Sequence, residues 1–136
     1  MNRSLLIGYQ IAIGLSDTLT GVLLILAPAY TLTLMHLHAP DDALPYLSLI
    51  GAFVLAVGLA CSYGALLTLR CAGPCRIETV WILTAITRSS VASLVIAEIL
   101  SHRLEAGWVT VALMDGACVL IQAIGLRKGW IRNAAR

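Results

Sequence analysis

The sequence predicts an all-α integral membrane protein, an up-down-up-down bundle of four transmembrane helices that forms a single domain over residues 1–136. The first observation is composition: 60% of the 136 residues are hydrophobic and 12% are charged, whereas soluble domains average nearer a half and a quarter. The mean hydropathy of +0.92 agrees. This apolar content excludes a disordered chain, and a net charge of only +2 excludes a nucleic-acid partner.

The second observation is the presence of four long apolar runs, at residues 5–27, 44–69, 79–97 and 106–126. A helix needs about 20 apolar residues to cross a hydrocarbon core about 30 Å thick. The runs lack the alternating pattern of barrel strands, so we expect helices. Short connections between the runs favour antiparallel neighbours.

The first run ends at Ala27-Pro28-Ala29, a small-x-small pattern that also occurs at signal-peptide cleavage sites. The run is too long for a signal peptide, and it contains the charge of Asp17. We therefore expect a retained first helix with Pro28 near its end.

Lysine and arginine predict the orientation of the helices, because these residues accumulate on the cytoplasmic side of a membrane. Arg103 falls on one side and Arg88 lies inside the third run, whereas the other seven share the side of the termini: Arg3, Arg70, Arg76, Arg127, Lys128, Arg132 and Arg136. We expect both termini to be cytoplasmic. The tail 127–136 is interpreted as an anchor on anionic membrane lipid, in preference to a partner site.

A stripe of small residues on the second helix indicates close helix packing, because small side chains let two backbones approach in lipid. Leu55 interrupts the stripe, whose members are Ser48, Gly51, Gly58, Ser62 and Ala65. Two interpretations stay open. The stripe packs the core of the protomer, or it forms the interface of a homo-oligomer.

Three ionisable residues on three different helices share one depth, near the middle of their apolar runs: Asp17, Arg88 and Asp115. A lone charge at that depth costs at least about 2.5–3.5 kcal/mol. The least costly arrangement turns all three inward. The planar guanidinium suits a bridge between two carboxylates, so we expect Arg88 to lie between Asp17 and Asp115.

Neighbouring residues support a polar interior at the same depth, because they recur on one helix face at helical spacing. The first and fourth helices carry Gln10, Gly14, Asp17, Gly21, Asp115, Cys118 and Gln122 on such faces. On the third helix, the residues expected to surround Arg88 are Thr84, Thr87, Ser89, Ser90 and Ser93.

Two interpretations of this centre compete. In the structural one, Asp17, Arg88 and Asp115 form a fixed network that specifies which helices adjoin. In the functional one, two carboxylates facing one arginine leave a negative charge unpaired, and one carboxyl group holds a proton. A titrating acid at that depth suits a proton-coupled carrier and equally a site for a quinol-type ligand. The proposed ligand or proton site consists of Asp17, Arg88, Asp115, Gln10, Gln122 and Thr84.

The loops offer weaker candidates. His36, His38 and His102, near several acidic residues, are alternatives for metal ligation, although a solvated acidic rim is the preferred interpretation. Cys71 and Cys75 are either redox or metal-binding thiols or ordinary loop residues. Cys61 and Cys118 are expected to be small buried apolar residues. The sequence contains no recognised catalytic motif, so we expect a protein that is not an enzyme.

The chain resembles the DoxX-like superfamily of small bacterial four-span membrane proteins. The resemblance rests on Gly14-Leu15, Gly21, Ala27-Pro28, Gly51, Gly58-Leu59, Thr87-Arg88-Ser89 and Leu113-Met114-Asp115-Gly116. It implies the bacterial inner membrane. It also implies an accessory role, since some members are subunits of quinone-linked oxidoreductases. No catalytic residue of the family is carried over.

The sequence thus favours a non-enzymatic accessory subunit of a redox or transport complex. Its partner would be another membrane subunit. No cofactor is expected beyond a lipid or quinone held between helices. The alternative is a small homo-oligomeric transporter or channel that couples to protons through its central carboxylates.

Overall fold

The structure, a computed structural model, describes residues 2–134, and within that range all regular structure is helical. Four helices are long and apolar enough to cross a membrane. They are accompanied by two short α-helices and by 3-10 turns at Asp41–Ala43 and Ala106–Trp108. The helices are α1 (Arg3–Leu26), α2 (Pro28–Leu34), α3 (Leu44–Leu69), α4 (Pro74–Leu100), α5 (Val109–Arg127) and α6 (Trp130–Ala134).

Prolines set two of the helix boundaries. α1 ends at Leu26, because Ala27 leaves the helical conformation (φ −147°, ψ 64°) ahead of Pro28, which opens α2. The predicted place of Pro28 is confirmed. α4 extends beyond the predicted run 79–97, since Pro74 fits the first turn of a helix, where no N–H is needed. Hydropathy misses this first turn, and it also misses α2 and α6.

Glycines bring α1 and α3 to backbone contact. A methyl group at Gly21 would lie 2.5 Å from the Leu55 nitrogen. A methyl group at Gly58 would lie 2.5 Å from the Thr18 nitrogen, and one at Gly51 would lie 2.9 Å from the Gly21 carbonyl oxygen. Residues later in α1 contact residues earlier in α3, so these helices are antiparallel. The glycines of the predicted stripe therefore pack the protomer's own core.

α4 and α5 form a second antiparallel pair. Trp81 lies over Gly125, where a methyl group would come within 2.5 Å of the indole Cζ3 atom. Further along the pair, Thr84 is hydrogen-bonded to Gln122. The bulky indole therefore fits only because the facing residue is glycine.

α1 does not approach the α4–α5 pair as closely as it approaches α3. No Cα atom of α1 lies within 8 Å of a Cα atom of α4 or α5. Side chains fill this space, which we call the seam between the α1–α3 pair and the α4–α5 pair. Polar groups of the candidate site lie within the seam.

Apolar clusters lie at the two ends of the bundle. One, at the end where α1 begins and α6 lies, contains Leu6, Leu67, Ile77, Trp81 and Ile131. We call this the terminal end. Ile131 is 1% exposed and fixes α6 in the cluster, so the described part of the tail packs on the bundle. Arg136 of the predicted anchor lies outside the described residues. The opposite end has a smaller cluster formed by Leu32, Leu37 and Leu47.

Candidate functional site

Arg88 of α4 bridges two carboxylates on two other helices. One η nitrogen donates to Asp115 Oδ1 of α5 at 2.5 Å, and the other donates to Asp17 Oδ2 of α1. The Arg88 side chain is 4% exposed, whereas those of Asp17 and Asp115 are 17% and 15% exposed. The predicted position of Arg88 between the two carboxylates is confirmed. We call these three residues the charged cluster.

The charged cluster crosses the seam. Asp17 belongs to the α1–α3 pair, while Arg88 and Asp115 belong to the α4–α5 pair. Because the backbones of α1 and α4 stay apart, only a long side chain such as that of arginine reaches across. Two carboxylates share one guanidinium, so the cluster carries an excess negative charge when both are ionised.

Two cysteines are buried in the bundle. Cys61 of α3 and Cys118 of α5 are 7% and 2% exposed, and Cys118 lies one helical turn from Asp115. Their predicted burial is confirmed.

Amide and hydroxyl groups form a second polar layer, about two helical turns from the carboxylates toward the terminal end. Gln122 Nε2 donates to Thr84 Oγ1 at 2.8 Å, and Thr84 Oγ1 in turn contacts the Val80 carbonyl at 2.8 Å. Thr68 Oγ1 donates to Gln10 Oε1 at 3.0 Å. These side chains are buried, with Gln10 and Gln122 each 2% exposed. The predicted inward direction of Gln10, Thr84 and Gln122 is confirmed.

Thr68 belongs to this layer but is absent from the predicted site. It follows Gly58, Cys61 and Ala65 at steps of three and four residues, so it shares their helix face. This spacing is the feature of the sequence that indicates an inward position for Thr68. The pairing of Thr68 with Gln10 depends on how α1 and α3 are aligned, which one sequence does not specify.

The expectation that five polar residues of α4 surround Arg88 is wrong for four of them. Only Thr84 faces inward. Thr87, Ser90 and Ser93 are exposed, and Ser89 is half-buried. At 100° per residue these positions lie away from the Thr84–Arg88 face. The hydroxyl groups of Thr87, Ser89 and Ser90 donate to carbonyl oxygens of their own helix, four residues earlier.

The histidines lie at the end opposite the termini and are all exposed: His36, His38 and His102. Among residues 2–134, no three histidine, cysteine or acidic side chains gather closely enough to hold a metal ion. Glu98 pairs with Arg103 at 2.8 Å. His36 and His102 have positive φ values of 54° and 55°, so each takes the left-handed position that ends α2 and α4.

Cys71 has a comparable conformation at the end of α3, with φ 52°. Its sulfur accepts a hydrogen bond from the Arg3 guanidinium at 3.1 Å, and the same Arg3 nitrogen donates to the Leu69 carbonyl at 3.0 Å. Arg3 therefore satisfies the end of α3 and ties it to the start of α1. Cys71 and Cys75 are free and exposed.

Comparison of the chain with protein-family models, curated proteins and solved structures finds no match.

Proposed function

We propose that the four long helices cross a bacterial inner membrane in an up-down-up-down arrangement, with both termini in the cytoplasm. The arrangement is supported by the contacts within each helix pair and by the length and apolarity of the helices. The orientation is supported by the cations, because five exposed ones lie near the end of α3, the start of α4 or the end of α5, at the terminal end: Arg70, Arg76, Arg127, Lys128 and Arg132.

Cysteine labelling tests this orientation. Cys71 and Cys75 are exposed at the terminal end, whereas Cys61 and Cys118 are buried. A membrane-impermeant maleimide should label the chain in inverted membrane vesicles and leave it unlabelled in spheroplasts. In a Cys71→Ser/Cys75→Ser/His38→Cys variant the pattern should reverse, since His38 is exposed at the opposite end. Labelling of Cys71 and Cys75 in spheroplasts would contradict the proposed orientation.

Within this membrane setting, we propose that the protein is a non-enzymatic accessory subunit of a redox or transport complex. The observation that carries the proposal is the outer face of α4, which presents Thr87, Ser90 and Ser93 outward. Small hydroxyl residues on the lipid-facing side of a helix are typical of contacts between transmembrane helices. A helix of another membrane subunit is the partner that fits this face.

A groove beside this face supports a site for an apolar ligand. It has a volume of about 350 Å³ and lies between α4 and α5. Its walls are Ile82, Ala85, Ile86, Ser89, Ser90, Val119, Ala123 and Leu126. Apolar walls with a few hydroxyl groups suit the chain of a lipid or a quinone. The resemblance to the DoxX-like superfamily, with its quinone-linked subunits, agrees with this proposal.

Native mass spectrometry of the protein, gently extracted from its host membrane, tests the accessory role. We expect a stoichiometric larger partner, with or without a retained mass of quinone or lipid size. Ser90→Phe fills the groove and should abolish the partner mass. Leu59→Phe is the control, because Leu59 is exposed on α3, away from this face. A bare homo-oligomer would refute the accessory role.

A homo-oligomer would favour the second candidate, a small proton-coupled transporter or channel. The observation that supports this candidate is the charged cluster, in which two carboxylates share one guanidinium. In lipid the excess charge is costly unless one carboxyl group holds a proton. Proton binding at the centre of the bundle would then be the coupling step.

A further inference from the structure

Buried polar atoms without partners are concentrated between the charged cluster and the terminal end. Among the described residues, five such side-chain atoms are fully enclosed and have no hydrogen-bond partner: Tyr9 Oη, Gln10 Nε2, Thr18 Oγ1, Arg88 Nε and Gln122 Oε1. A buried polar group without a partner costs free energy, more so in a membrane, where lipid offers none. All but that of Thr18 lie along the seam.

Two of these atoms are chemically complementary. Gln10 Nε2 is a donor without an acceptor, and Gln122 Oε1 is an acceptor without a donor. They lie in the same layer of the bundle. A methyl group at Gly64 would be 3.1 Å from Gln10 Nε2 and 3.3 Å from Val80 Cγ1, and Val80 is joined to Gln122 through Thr84. The two amides do not bond to each other, so a small bridging molecule would satisfy both.

The layer continues toward the terminal end through Thr68. Its hydroxyl donates to Gln10, and Thr68 also lines a cavity of about 160 Å³ whose other walls include Arg3, Cys71 and Ile131. The cavity lies where α1 begins and α3 ends. It is large enough for several water molecules and has polar groups in its wall.

The layer also continues inward to the charged cluster. The Tyr9 ring packs against Trp81, with ring centroids 5.8 Å apart, and its hydroxyl is enclosed without a partner, as is Arg88 Nε. Thr84 lies one helical turn from Arg88, and Cys118 one turn from Gln122. Thr68, Gln10, Gln122, Thr84 and Arg88 thus follow one another from the cavity to the charged cluster, beside the apolar cluster that contains Leu6 and Trp81.

We propose that this polar layer binds a short file of water molecules, which gives the charged cluster access to protons from the terminal end. Gln10 Nε2 donates to a water molecule and Gln122 Oε1 accepts from one. Further water molecules link Tyr9 and Arg88 Nε. The inference rests on the proposed membrane insertion, and it is independent of the partner subunit.

Hydroxyl-radical footprinting of the full chain in lipid nanodiscs tests the water file. Radicals generated from a bound water molecule oxidise the side chains beside it, including buried ones. We expect Cys118, which is 2% exposed, to be oxidised several-fold faster than Leu24, which is 7% exposed in the α1–α3 contact, away from the file. Each rate is normalised to that of the same residue in denatured protein.

Two substitutions connect the labelling to the amides. Gln10→Leu and Gln122→Leu remove the polar end of the side chain without adding a readily oxidised sulfur, so the oxidation of Cys118 should fall several-fold. Thr110→Ala, at an exposed position of α5 near the opposite end of the bundle, should leave it unchanged. Thermal melting identifies any variant that does not fold.

Two outcomes would overturn the proposal. In the unaltered protein, oxidation of Cys118 as slow as that of Leu24 would show a dry seam, and this comparison needs no variant. Unchanged oxidation in both folded leucine variants would show that the amides do not hold the water. Failure of the membrane insertion itself appears separately, in the cysteine labelling.

Discussion

Gly21→Ala and Gly58→Ala are each expected to lower the free energy of unfolding by about 1–3 kcal/mol, the usual cost of overpacking. The added methyl group would lie 2.5 Å from a backbone nitrogen, of Leu55 in the first case and of Thr18 in the second. A backbone atom of a packed helix cannot rotate away, as the end of a side chain can. The two helices must therefore separate along the whole contact.

The measurement is unfolding of the purified protein in detergent, with Gly8→Ala as the matched control on α1. A methyl group at Gly8 meets nothing within 4 Å. Alanine also favours a helix over glycine by about 1 kcal/mol, so this control should be neutral or stabilising. Equal stability of Gly8→Ala and Gly21→Ala would mean that α1 and α3 are further apart than described.

Arg88→Leu is expected to have the largest effect of any single substitution, about 3–5 kcal/mol, because it leaves two carboxylates without a cation. Arg88 binds Asp17 and Asp115 through separate nitrogens and is 4% exposed. Arg88→Lys keeps the charge but lacks the planar fork that reaches both carboxylates. It should fall between Arg88→Leu and the unaltered protein, both in folded yield and in melting temperature.

A compensating variant separates the lost charge from lost packing. Asp17→Asn and Asp115→Asn remove the negative charges, so adding them to Arg88→Leu should restore most of the folded yield. Asp41→Asn is the control, because Asp41 is exposed at the opposite end and has no contact with the charged cluster. Equal tolerance of leucine and lysine at position 88 would contradict the bridge.

The number of long apolar helices, and the position of a charge near the middle of three of them, could be predicted from sequence, because an apolar run and a charge within it are local features. A carboxylate at Asp17 or Asp115 must find a cation, and Arg88 is the one at the same depth. The sequence could not predict the aligned contacts. The pairing of Thr68 with Gln10 depends on glycine contacts between α1 and α3, which act through tertiary structure.

The rotation of α4 about its own axis differs from the rotation that the sequence predicts. Serine and threonine are polar residues, so the sequence predicts Ser90 and Ser93 beside Arg88. A helix satisfies a hydroxyl group with its own backbone, as Ser90 shows by donating to the Ile86 carbonyl. Such residues need no partner in the interior of the bundle, whereas the amides of Gln10 and Gln122 do.

The bridge across the seam also has a consequence for how the chain is made. Asp17 and Arg88 are 71 residues apart, and synthesis proceeds from the N-terminus. The α1–α3 pair is therefore synthesised before Arg88 has left the ribosome. When α4 follows, Arg88 can pair with Asp17, which is already present. The α1–α3 half carries an unmatched carboxylate when it is made, whereas the α4–α5 half brings Arg88 together with Asp115. With the proposed membrane insertion, a chain that stops after α3 keeps an unmatched acid in the bilayer, and this distinguishes an unfinished protein from a finished one.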